Sequence, residues 1–146
     1  MNKIGKQFII LFRQLNLFMS HELNDTEITA SEILYLASLY AKDGVTQDEL
    51  SEEYTVDRAA TTRSIQALEK KGFIRRETDT ADRRAKRVYL TEKAYAYEEL
   101  IRAAQMKWVN ALFQDMDEEQ TAVFIAQVNQ MVTRARELNG PKEGSV

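Results

Sequence analysis

Arg83, Arg84, Lys86 and Arg87 place four cations within five positions, directly before the alternating Val88-Tyr89-Leu90. A guanidinium stays charged at any physiological pH, so such a cluster does not transfer protons. Its chemistry is recognition: a planar fork of N–H donors matches phosphate or carboxylate oxygens. The chain as a whole has a net charge of -3, yet residues 58–87 carry a balance of +6 and the remainder -9. A local excess of that size inside an acidic protein points to a polyanionic partner for one part of the surface.

Groups that would do bond-making chemistry are sparse. His21 is the only histidine, in the run His21-Glu22-Leu23-Asn24-Asp25. A zinc-protease helix needs a second histidine four residues on, where Asp25 stands. Ser20 beside His21 on one helix forms no triad, and no G-x-S-x-G occurs. The five glycines are scattered and make no phosphate loop, and the absence of cysteine excludes disulfides, thiolate metal sites and thiol switching. His21 with Glu22 or Asp25 is at most a minor metal site. The expectation is therefore no catalytic residue, no metal and no cofactor. The apolar run after Met1 is broken by Arg13 and no apolar stretch nears the length of a membrane span, which predicts a cytoplasmic protein without a signal peptide.

The elements that position these cations are mostly helical. Phe8, Leu11, Phe12, Leu15, Phe18 and Met19 recur at spacings of three and four, predicting an amphipathic helix over residues 6–23. Thr29 with Glu32 and Thr46 with Glu49 have the capping-box form. They open a helix reaching Asp43-Gly44 and a short one ending at Tyr54. Thr55-Val56 is a turn, and Asp57 caps a helix that runs to Lys71 and closes on Gly72. The period then becomes alternating: Phe73 to Glu77 and Arg87 to Leu90 read as two arms of a hairpin around a polar loop. Thr91 caps a long helix to Phe113. Asp117 opens a last one with Phe124, Val128, Met131, Ala135 and Leu138 on one face, ended by Gly140-Pro141.

Two closely joined helices followed at once by a hairpin describe a winged helix-turn-helix. In the helix after the turn, Thr61, Ile65 and Leu68 pack inward, leaving Arg58, Ala59, Thr62, Arg63 and Gln66 outward. Polar outward faces are common on any helix, but these side chains suit a major groove. Arg pairs with guanine, Gln with adenine, and Thr or Ala methyls with thymine. The hairpin crowds Arg75, Arg76, Arg83, Arg84, Lys86 and Arg87 onto two strands, where cross-strand like charges repel and a polyanion would relieve them.

Asp82-x-Arg84 followed by five residues and Leu90-Thr91 resembles the wing signature D-x-R-x-x-x-x-x-L-T of the MarR family of bacterial and archaeal transcriptional regulators. Ala67-Leu68-Glu69-Lys70-Lys71-Gly72-Phe73-Ile74 resembles that family's recognition-helix exit. Many members carry an acid directly after the wing arginine, where this chain has Ala85. The element order matches from residue 5 to 138. The resemblance implies a mainly α fold with a small β-hairpin wing, one MarR-like domain over residues 1–146. Residues 29–91 would form the winged helix-turn-helix, 5–24 and 92–138 the dimerisation helices, and 139–146 a flexible tail.

The function implied is a homodimeric, sequence-specific DNA-binding regulator, a repressor released by a small aromatic or anionic effector. Its partner would be double-stranded DNA with a pseudo-palindromic operator. Arg58, Ala59, Thr62, Arg63 and Gln66 would face bases and Arg83, Arg84 and Arg87 would anchor the wing. Phe12, Tyr35, Tyr40 and Trp108 are available to line an effector cleft, although they also sit at core spacing. Independently of the family, the first helix and the last two carry more apolar surface than a three-helix winged domain covers, which itself predicts a dimer. The alternative is a winged-helix protein-interaction module that binds an acidic partner through its basic hairpin.

Overall fold

The computed structural model describes residues 2–140, so the expected tail lies outside the described residues from position 141 onward. Seven helices and three strands are described: α1 (Lys3–Glu22), α2 (Ala30–Ala41), β1 (Val45–Thr46), α3 (Gln47–Glu53), α4 (Arg58–Lys70), β2 (Ile74–Thr78), β3 (Lys86–Leu90), α5 (Glu92–Ala96), α6 (Glu98–Phe113) and α7 (Glu118–Asn139). None of the described helices is long and apolar enough to cross a membrane.

Helix starts fall where the sequence supplies caps. Thr46 accepts from the Glu49 amide while Glu49 accepts from the Thr46 amide at 2.7 Å, so two otherwise orphaned donors satisfy each other. Asp57 caps α4 through the Ala60 amide at 2.8 Å, and Asp117 caps α7 through Gln120 in the same way. Glu32 has a double role. It accepts from the Thr29 amide at 3.0 Å and, although only 4% exposed, also from Lys71 Nζ at 2.8 Å, which joins the start of α2 to the end of α4.

The mainly α fold with a small β wing is present, with two differences from the sequence expectation. Val45–Thr46 is a third strand, paired antiparallel to β3 through Val45 opposite Val88 and Thr46 opposite Arg87, giving the order β1-β3-β2. Two residues carry no readable period, and only the neighbouring strand makes them one. The long helix after Thr91 is also broken at Tyr97. There the Ala94 carbonyl accepts from the Tyr97 amide, a tighter turn, and from the Tyr40 hydroxyl of α2. That tertiary bond occupies the acceptor that a continuous helix would offer to Glu98.

The chain divides into two compact units, Met1–Trp108 and Val109–Val146. The first holds the entire buried cluster, from Met19 to Ala104, with Leu36, Leu50, Ile65, Leu68, Phe73 and Val88 fully enclosed. The second contains the end of α6 and all of α7, of which no residue is buried.

Candidate nucleic-acid interface

The α3–turn–α4 segment forms because two caps leave only residues 54–57 between two helices. Val56 donates its amide to the Ser51 carbonyl at 3.0 Å, and Thr55 takes φ 55° to make the corner. Helix α4 then buries Thr61, Ile65 and Leu68, each at 0% exposure. Thr61 shares a 3.2 Å hydrogen bond with the Tyr35 hydroxyl, which satisfies both polar groups inside the core. Arg58, Ala59, Arg63 and Gln66 are exposed on the other side and Thr62 is half-buried. Arg58 lies 3.4 Å from Asp48, an exposed pair worth little and easily exchanged for another anion.

The hairpin register corrects the expected cross-strand repulsion. Arg75 faces Tyr89, Arg76 faces Val88, Glu77 faces Arg87 and Thr78 faces Lys86, so no cation stands directly opposite another. Arg75 lies over the Tyr89 ring, 4.5 Å from its centroid, and pairs with Glu77. Arg76 reaches Glu69 of α4 at 2.9 Å, and this bond holds the Glu69 carboxyl below its ordinary range. Lys86 donates to the Thr78 hydroxyl at 2.8 Å.

Arg87 is a brace rather than a free cation. Its Nε donates to Asp79 at 2.9 Å and its Nη1 to the Gly44 carbonyl at 2.7 Å, so it ties the wing to the loop after α2. The paired Arg87 guanidinium lowers the Asp79 carboxyl, and Asp79 in turn raises Arg87. Gly44 has φ +74°, and a Cβ there would stand 2.8 Å from the Tyr89 ring, so the sequence needs glycine at this anchor.

The tip between Asp79 and Ala85 is closed by the Asp79 amide on the Ala85 carbonyl and the Ala85 amide on the Asp82 carbonyl, both 3.0 Å. Asp82 also accepts from the Arg84 amide at 3.0 Å, an Asx turn that uses the aspartate of the wing signature as a local scaffold. Ala85 offers no acid beside Arg84, and the ion pair found in the wing tip region is that of Arg87 with Asp79 at 2.9 Å. Arg83 and Arg84 stand exposed at this tip. Among the described residues the side chains of Arg63, Arg83 and Arg84 have no ion pair or hydrogen bond.

Arg75 and Lys86 make contacts within the hairpin and Lys70 is exposed on α4, and the other seven of the ten cations of residues 58–87 sort into two groups. Arg76, Lys71 and Arg87 are spent on holding elements together. Arg63, Arg83 and Arg84 remain open, with Arg58 loosely paired. Sequence reasoning could not make this division, because the partners of Arg87 and Arg76 are set by strand register and loop placement.

The four aromatic residues suggested for an effector have separate neighbours. Tyr35 is buried and bonded to Thr61, while Tyr40 is half-buried, bonded to Ala94 and 6.2 Å from the Tyr95 ring. Burial first, then Glu98 and Tyr95, push the Tyr40 hydroxyl up to about 12. Phe12 is 66% exposed on α1, and Trp108 packs 5.4 Å from Phe18. No group of three or more His, Cys, Asp or Glu among the described residues is placed to hold a metal.

The family model described as "MarR family" matches residues 28–86. The chain is 32% identical over 102 residues to the uncharacterized HTH-type transcriptional regulator YybA of Bacillus subtilis (strain 168), covering 70% of this chain and 68% of that protein. It superposes on a MarR transcriptional regulator from Methanosarcina mazei Go1 with a TM-score of 0.86 at 29% identity, over 92% of this chain and 97% of the other. The fold is shared with a mutant MarR from E. coli complexed with operator DNA, with a TM-score of 0.77 at 22% identity over 88% of this chain and 92% of that one.

Proposed function

The chain belongs to the MarR family of transcriptional regulators, and on that premise we propose that it acts as a homodimer reading operator DNA, a repressor released by a small aromatic or anionic effector. The single observation carrying the DNA reading is the pair of open cationic sites. Arg63 lies on the outward face of the helix after the turn and Arg83-Arg84 at the wing tip, all three exposed and without a protein anion. Leaving them unneutralised in an acidic protein costs nothing in the presence of phosphates, whose condensed counterions are released on contact. The roles follow from position. Arg58, Ala59, Thr62, Arg63 and Gln66 face bases, and Arg83 and Arg84 hold the backbone. Arg87 contributes by fixing the wing.

The homodimer is supported by the apolar residues that α7 leaves in solvent, Phe124, Ile125, Val128, Met131 and Val132 among them, and by Phe8, Ile9 and Phe12 on α1. A second copy would cover such surfaces, and a twofold pair would read a pseudo-palindrome. The effector part rests on the family alone. Selection of bound fragments from random duplex DNA tests the proposal. An enriched pseudo-palindrome is the expected result. An absence of enrichment defeats it in favour of a module that binds acidic protein.

A further inference from the structure

Arg76 of β2 uses all three guanidinium nitrogens on two elements. Nε and Nη2 donate to the two Glu69 oxygens of α4 at 3.2 and 2.9 Å, and Nη1 donates to Gln47 Oε1 at 3.1 Å. Gln47, the first residue of α3, sits between this cation and α4. An arginine has no acceptor, so the Gln47 amide must turn its oxygen to Arg76 and its NH2 away. That NH2 points at Thr62 Oγ1, 3.4 Å off. The flipped amide would set donor against donor, so the orientation follows from the chemistry of the neighbour.

The consequence falls on Thr62. Its oxygen already accepts from Gln47, and among the described residues its hydroxyl has no other partner. One of its two lone pairs is thereby taken, and accepting that bond strengthens the hydroxyl as a donor, so its proton is the favoured offer to an outside partner. Arg58, Thr62 and Gln66 follow one another at spacings of four along α4, so this proton lies on the stripe between two side chains already assigned to bases. We infer that Gln47, held by Arg76, sets the hydrogen-bond polarity of Thr62, so that the helix presents a proton donor and selects a base edge carrying an acceptor. Guanine, thymine and the N7 of adenine offer acceptors in the major groove, whereas cytosine offers only its N4 donor. The inference rests on the DNA reading above and deepens it: Gln47 is a positioning residue that disfavours cytosine at one operator position without touching DNA.

Gln47→Glu reverses the polarity. A carboxylate accepts from Arg76 and from the Thr62 hydroxyl alike, turning the threonine lone pairs outward. Thr62→Val removes the hydroxyl while keeping the shape. Duplex selection with wild type and both variants, each first shown to melt as the wild type does, is the test. Wild type is expected to disfavour cytosine at one position by about threefold to tenfold, the effect of one hydrogen bond. Thr62→Val should lose that discrimination, and Gln47→Glu should admit or prefer cytosine there with the other positions unchanged. If wild type enriches an operator and both variants keep every base preference, or if Gln47→Glu weakens all sequences equally, the polarity inference is wrong and the DNA reading stands. If wild type enriches nothing, the DNA reading itself fails and the inference fails with it.

Discussion

Arg63 and Arg84 are both open cations, but on the proposed reading they answer to different parts of a duplex. An arginine on the helix that enters a groove meets base edges, so its loss is felt at one sequence position. Arg63→Ala is expected to weaken operator binding by about 1–3 kcal/mol and to relax preference at one base step, measured by titrating wild-type and single-mismatch duplexes. An arginine at a loop tip meets phosphate or a narrow groove. Arg84→Ala should weaken binding to most sequences and reduce the slope of log affinity against log salt by about one. Gly44 is a residue of another kind, since it touches no ligand in this reading. Its positive φ and the Tyr89 ring beside it mean that Gly44→Ala should lower stability by roughly 1–3 kcal/mol, seen as an earlier thermal transition.

At the scale of elements, the wing is a hairpin made specific by its attachments. Asp79 is 8% exposed and its carboxyl is held below the usual range by the Arg87 hydrogen bond. The folded state thus favours the carboxylate more than the unfolded state does. The stabilisation is complete above the ordinary carboxyl value of about 4 and is lost as pH falls below it through the lowered folded value. Amide protection at Asp79 and Ala85, measured against intrinsic exchange at each pH, should fall in that acid range. Glu27 and Glu69 are lowered too, by Lys93 and Arg76, and lose their contributions in the same window. Asp79→Asn separates them: it should speed exchange at the tip already at neutral pH and remove the acid-dependent step there only.

Most elements were readable because their signals are local. Thr46 with Glu49, Asp57 and Asp117 announce their helices in four letters each, and Thr61, Ile65 and Leu68 reveal the buried face of α4 by spacing alone. What could not be read was fixed from a distance. The β1 strand exists through Val88, forty-three residues on from Val45, and the break at Tyr97 through a hydroxyl on α2. The candidate interface divides the same way. Arg58, Thr62, Arg63 and Gln66 were placed outward by periodicity. The commitment of Arg87 to Asp79 and Gly44, and the Gln47 bridge between Arg76 and Thr62, depend on register and loop placement.

On the scale of the whole molecule, the buried cluster lies within Met1–Trp108, whereas α7 has several apolar side chains and no buried residue. Propensity and caps alone hold a helix of this length weakly in water. Assembly is expected to supply the rest. Light scattering at micromolar concentration should return twice the chain mass, and Val128→Glu on α7 should return the chain mass with the winged part still folded. A wild-type monomer at that concentration would count against the dimer.

If two copies pair as proposed, a core that stops at Ala104 also makes abundance a structural variable. Upon dilution, the carboxyl-terminal helix should melt and become open to proteases well before the residues that would face a promoter lose their shape. Cells holding few copies would then keep intact reading heads whose pairing, rather than whose folding, limits how much of the operator is occupied.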